Sequence, residues 1–251
     1  MNRFPTCRFL ALCALTLSAS AAFAQHHETP SPAPHHTADA PGKADARIGD
    51  PYPFETCPTT GKKLGSMGDP VVKVYEGREV RFCCPACPPK FEKDLTASLA
   101  ALDAKIAKDQ TPLYPLKTSV VTGKDLPEKP VDFVYANRLV RLGAESEKAD
   151  FLKDSKKYLA ALDKAVVEKQ GKGYPLTKCP VSGEALGGDM GAPVDTFVAG
   201  RLLRLCCSSC LKDVAKDPAR YIAIIDAAQK GEKAKPAAPA PAKPADPHSG
   251  H

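Results

Sequence analysis

A short opening repeated three times restricts what this chain can fold into. "YPFETCPTTGKKLG" from Tyr52, "YPLKTSVVTGKDLP" from Tyr114 and "YPLTKCPVSGEALG" from Tyr174 align without gaps. In each, Tyr-Pro stands five residues ahead of Cys57, Ser119 or Cys179, and a glycine follows four later at Gly61, Gly123 or Gly183. The period is about 60 residues, which marks a chain of repeated units whose packing against one another the sequence leaves open. A unit of that size buries a marginal core, and such units commonly rely on disulfides, metals or neighbouring units.

The second half of each unit repeats as well. "VVKVYEGREVRF", "VDFVYANRLVRL" and "VDTFVAGRLLRL" alternate apolar and other residues around Glu76-Gly77, Ala136-Asn137 and Ala199-Gly200. This pattern predicts two short strands joined by a tight turn. Behind each hairpin, apolar residues recur at helical spacing. The first unit has Phe91, Leu95, Leu99, Leu102 and Ile106; the second has Phe151, Tyr158, Leu159, Leu162 and Val166; the third has Val214, Tyr221, Ile222 and Ile225. The expected fold is α+β: three tandem units of loop, β-hairpin and α-helix at residues 51–112, 113–172 and 173–230, with disordered termini.

The ends differ in composition. Residues 1–24 read as a secretory signal: Arg3 and Arg8 precede an apolar run from Phe9 to Leu17, and Ala22-Phe23-Ala24 offers a small-x-small cleavage site. The run is about half of the roughly 20 residues that a membrane-spanning helix requires, so no span is expected in the mature chain. Cys7 and Cys13 leave with the signal, and the protein is expected in the periplasm or outside the cell. Residues 25–50, rich in His, Pro and Ala, and residues 231–251, rich in Pro, Ala and Lys, cannot bury enough apolar area to offset ordering and are expected to be disordered. The net charge of +6 is spread over lysines rather than gathered in a basic stripe with aromatics, which argues against nucleic acid as a partner.

Eight cysteines remain after the signal, in two sets of four. Unit one carries Cys57, Cys83, Cys84 and Cys87, and unit three carries Cys179, Cys206, Cys207 and Cys210. "RFCCPAC" at 81–87 and "RLCCSSC" at 204–210 stand where the second strand runs into the helix, so folding the hairpin back brings three thiols to the one on the opening loop. Thiolates are ligands of choice for zinc and copper(I), and a helix N-terminus with nearby cations favours the deprotonated form. Arg78 and Arg81, or Arg201 and Arg204, add to that bias if they face the site. Unit two has Ser119, Gly143, Ala144 and Glu147 at the aligned positions, so the thiols are lost together while the apolar frame stays. The four therefore read as one site per unit, with unit two as a scaffold. An exported chain could instead pair all eight as disulfides and serve as an interaction scaffold. A thiol–disulfide oxidoreductase resting on Cys84-x2-Cys87 and Cys207-x2-Cys210 is the best catalytic alternative.

These residues resemble the small metal-linked TRASH and YHS domains, whose pattern is an early cysteine, a hairpin, then Phe-Cys-x3-Cys leading into a helix. The match falls on Cys57, Cys83 and Cys87 with Phe82 and Phe91, and on Cys179, Cys206 and Cys210 with Leu205 and Val214. "DPARYI" at 217–222 is similar to the family's closing Asp-Pro-x-x-Tyr-Leu. The resemblance implies treble-clef-like units and a role in binding, sensing, trafficking or resistance to heavy metals. The chain departs from the pattern in two ways: 25 residues separate Cys57 from Cys83 and 26 separate Cys179 from Cys206, and Thr60 or Ser182 replaces the second cysteine of the opening knuckle. Either Cys84 and Cys207 act as fourth ligands, or each site holds three thiolates, a set better suited to copper(I) than to closed tetrahedral zinc.

All six histidines lie in the tails: His26, His27, His35, His36, His248 and His251. Imidazole pairs there would bind copper, nickel or zinc weakly and could pass metal to the thiols, against the plainer reading of a solubilising tail. No histidine falls inside a unit, and no phosphate loop, paired-carboxylate cleft or Ser-His-Asp set is present, so no enzymatic role is expected. The expected partner is a metal ion, with another exported protein as a further candidate.

Overall fold

The computed structural model of the chain describes residues 49–189 and 191–231. Residues 1–48 and 232–251, where a signal, most of a linker and a tail are expected and where all six histidines fall, lie outside the described residues.

The described residues form an α+β fold, built among them from three two-stranded antiparallel sheets and six α-helices. Hairpin, short helix and long helix follow one another three times. The first segment has β1 (Val71–Tyr75), β2 (Arg78–Phe82), α1 (Cys87–Glu92) and α2 (Leu95–Gln110). The second has β3 (Val131–Tyr135), β4 (Arg138–Leu142), α3 (Glu147–Lys153) and α4 (Ser155–Gln170). The third has β5 (Val194–Val198), β6 (Arg201–Leu205), α5 (Leu211–Lys216) and α6 (Pro218–Gln229).

Each hairpin turns on two residues of positive φ. These are Glu76 and Gly77 at 50° and 77°, Ala136 and Asn137 at 45° and 66°, and Ala199 and Gly200 at 51° and 75°. Positive φ at both central residues matches the right-handed twist of the flanking strands, which fixes the registers Tyr75 with Arg78, Tyr135 with Arg138, and Val198 with Arg201.

The single helix expected behind each hairpin is two helices. The break falls at Asp94, Asp154 or Asp217, whose side chain accepts a hydrogen bond from the backbone N–H of Ala97, Lys157 or Arg220. The aspartate starts the long helix as an N-cap, and in the third segment Pro218 supplies the preset φ of the first helical turn. Apolar periodicity runs through the break because both helices cover one core: Phe91 of α1 and Leu99, Leu102 and Ile106 of α2 are buried together.

Each segment has its own apolar cluster, and polar groups tie the segments to one another. Gln110, at the end of α2, donates to Asn137 O at 2.8 Å and accepts from Leu139 N–H at 2.9 Å, clamping the second hairpin. Gln170, at the end of α4, repeats this on Gly200 O and Leu202 N–H at 2.8 and 2.9 Å. The sequence places Asp50 at the end of a linker expected to be disordered. It is instead buried, takes Arg138 at 3.0 Å and accepts the Ala199 N–H, so one carboxylate joins the second and third segments. Composition averages over the linker conceal it, because the contact depends on residues far along the chain.

Candidate metal centres

Cys57 and Cys179 sit on tight knuckles. Cys57 O accepts from Gly61 N–H at 2.8 Å while Cys57 N–H donates to Lys62 O at 2.8 Å; Cys179, Gly183 and Glu184 repeat this at 2.9 and 2.7 Å. Gly61 and Gly183 have φ of 69° and 79°, which explains the glycine four residues after each thiol: the loop closes through a left-handed position. The other thiols come from the step out of β2 or β6. Phe82 and Leu205 end their strands fully buried, Cys83 and Cys206 directly after them are buried too, and Cys87 and Cys210 are buried at the start of the short helices.

The result is two triads. The Sγ atoms of Cys57, Cys83 and Cys87 lie within 4.8 Å of one another, and so do those of Cys179, Cys206 and Cys210. Cys83 and Cys87 are 3.7 Å apart; Cys179 and Cys206 stand 3.9 and 3.8 Å from Cys210. All six are buried, and the eight cysteines among the described residues are free thiols. A tetrahedron of sulfurs about 2.3 Å from zinc has edges of about 3.8 Å, and a trigonal set at that radius has edges of about 4.0 Å. The separations of 3.7–3.9 Å match both and the remaining pairs lie within 4.8 Å, which is compatible with a thiolate-bound ion such as zinc or copper(I) held by Cys57, Cys83 and Cys87 or by Cys179, Cys206 and Cys210.

No protein-family model, curated protein or solved structure matches this chain. What the thiols can do therefore rests on their own surroundings.

Burial pushes the Cys57 thiol up, but the N–H groups of Cys83, Thr59 and Thr60 and the Thr60 hydroxyl outweigh it and hold the thiol down at about 6. Burial likewise acts on Cys179, and the amides of Ser182, Cys206 and Val181 with the Ser182 hydroxyl bring it to about 7. Burial and the neighbouring Cys84, Cys83 and Cys57 push Cys87 up to about 12, and burial with the Cys179 charge raises Cys210. Each triad thus sets a thiol whose ionisation its amides favour beside one whose ionisation burial opposes, and a metal ion would displace the proton of the second.

The arginines expected to bias the thiols do not face them. Arg78 pairs with Asp103, and Arg201 with Asp226 and Asp109. Arg204 pairs with Asp195, and Arg81 reaches Glu79 and the carbonyls of Ala215 and Lys216. Backbone amides of the knuckle do the work assigned to them. The spacing pattern also undervalued Thr60 and Ser182. Their hydroxyls lie 3.4 and 3.2 Å from the Sγ of Cys83 and Cys206, so the residues that replace a knuckle cysteine still touch the site.

Cys84 and Cys207 lie outside the mutually close sets. Both are half-buried at the rim. Cys84 Sγ is 3.5 Å from Cys87 Sγ, and Cys207 Sγ is 3.7 Å from Cys206 and 4.0 Å from Cys210.

In the second segment the same place is filled by a carboxylate. Glu147 Oε2 accepts from Ser119 Oγ and Gly143 N–H, and Oε1 accepts from Thr122 Oγ1 at 3.2 Å. Ser119, Gly143, Glu147 and Thr122 stand where the first segment has Cys57, Cys83, Cys87 and Thr60.

Proposed function

We propose that this chain is an exported heavy-metal-binding protein that holds zinc or copper(I) in two thiolate sites and serves metal trafficking, sensing or resistance. The observation that carries this reading is the pair of buried triads, each gathering three free thiols within 4.8 Å. A disulfide consumes thiols in twos, whereas three sulfurs converging on one point at metal–thiolate spacing suit a shared ion. The second segment supports the same reading, because a carboxylate fills the volume where the thiols are missing.

Knuckle, hairpin and following helix, each supplying a thiol, favour treble-clef-like units of the TRASH/YHS kind in the first and third segments. The leader-like residues 1–24 favour export to the periplasm or beyond, and no helix among the described residues is long and apolar enough to cross a membrane. In these sites the protein's residues bind and shield: amides hold the first sulfur as thiolate, and burial keeps water and competing oxygen ligands away.

X-ray absorption on the chain loaded with zinc, and separately with copper(I), tests the reading. A first shell of three or four sulfurs at about 2.3 Å is expected. A shell dominated by oxygen or nitrogen would overturn it.

A further inference from the structure

We propose that Cys84 is a disulfide-exchange site with Cys87 as its resolving thiol, so that an incoming disulfide opens the first metal centre. The inference rests on the metal-binding reading of the triad for its consequence, though not for its thiol chemistry.

Access separates the four sulfurs. Cys57, Cys83 and Cys87 are 1%, 1% and 2% exposed, whereas Cys84 is half-buried and followed by the exposed Pro85 and Ala86. A disulfide arriving from solvent therefore meets Cys84 first. The second thiol is already in place, with Cys87 Sγ 3.5 Å from Cys84 Sγ. The backbone permits the bond, since Cys87 N–H donates to Cys84 O at 3.2 Å and closes a four-residue turn. Such a turn holds its end Cα atoms within about 7 Å, and a disulfide needs roughly 4.4–6.8 Å. Cys83 is the adjacent residue and could pair with Cys84 only through a strained ring. The third segment has the same rim thiol, but Cys207 lies nearer Cys206 than Cys210, so the arrangement is more favourable in the first.

The step balances. Cys84 thiolate attacks one sulfur of the incoming disulfide, whose S–S bond breaks, and one thiolate leaves. Cys87 then attacks the Cys84 sulfur of the mixed disulfide and the second thiolate leaves. Two protein thiols are oxidised by two electrons and the incoming disulfide is reduced to two thiols. Their protons come from Cys84 and, where Cys87 attacks as a metal-bound thiolate, from solvent. The Cys84–Cys87 bond removes Cys87 from the triad, leaving Cys57 and Cys83 to hold the ion, and the ion departs.

The test uses the full chain, reduced without oxygen and loaded with zinc, which has no redox chemistry of its own. Its zinc content before any oxidant is added tests the metal-binding reading separately. Oxidised glutathione is then added, disulfides are mapped by peptide mass spectrometry, and zinc release is followed with a chromogenic chelator. A Cys84–Cys87 disulfide as the first bond formed in the first segment is expected, with or without bound zinc. In a Cys207→Ser background, adding Cys84→Ser should slow release, as a fraction of the zinc each variant binds, by at least tenfold. A first bond joining Cys57 to Cys83 or Cys87, or equal release rates with and without Cys84, would overturn the proposal. The disulfide map on the unaltered chain decides the matter even if a variant fails to fold.

Discussion

Glu147 accepts a hydrogen bond from Ser119, pairing through a carboxylate the two positions that in the first segment hold Cys87 and Cys57. The fit extends to Gly143: a Cβ at that position would lie 2.9 Å from Glu147 Oε1, so the carboxylate occupies the room a cysteine side chain would need. Gly143 and Glu147 are one substitution in physical terms. Restoring all three thiols with S119C, G143C and E147C should create a third site and raise bound zinc from two ions per chain to three. G143C alone should displace the Glu147 carboxylate and bind no extra ion. Titration with zinc and a competing chelator checks both.

The three aspartates that divide the helices make a prediction of their own. D94A removes the side-chain acceptor for Ala97 N–H and should cost about 1 kcal/mol. For a folded region of this size that lowers Tm by about 2–4 °C. D94N, which keeps an acceptor oxygen, should lose markedly less. Thermal unfolding followed by circular dichroism separates the two.

The hairpins were legible because turn chemistry and apolar alternation point the same way at Glu76-Gly77, Ala136-Asn137 and Ala199-Gly200. The thiols were legible because repeated spacing places Cys57 and Cys83 on elements that must fold back together. The helix breaks leave no mark in the pattern, since the periodicity of Phe91, Leu95 and Leu99 continues across Asp94 and masks the cap. Contacts between segments left no local trace. Arg81 shows why. In the second and third hairpins Asp132 and Asp195 stand opposite Arg141 and Arg204 and pair with them, but Val72 stands opposite Arg81. Lacking that carboxylate, Arg81 turns to the last carbonyls of α5, more than a hundred residues away. Local pattern cannot supply such a partner.

Asp50 carries the largest stability prediction. It is buried with Arg138, accepts the Ala199 N–H, and donates its own N–H to Ala136 O at 2.9 Å. Removing one partner of a buried pair costs about 3–5 kcal/mol, and the low end applies because Arg138 keeps Asp163 at 2.8 Å. D50A should therefore cost about 3 kcal/mol and lower Tm by about 6–12 °C. Chemical denaturation checks the value, and a loss under about 1 kcal/mol would show that Asp50 is not the joint between the segments.

The central claim is tested most directly by native mass spectrometry of the chain from Gln25 onward, purified reduced and without oxygen, with free thiols counted in the same sample. Two metal ions per chain are expected, one lost with Cys57→Ser, the other with Cys179→Ser, and both in the double variant. Four disulfides in place of thiols, with no metal bound after reduction, would contradict the account.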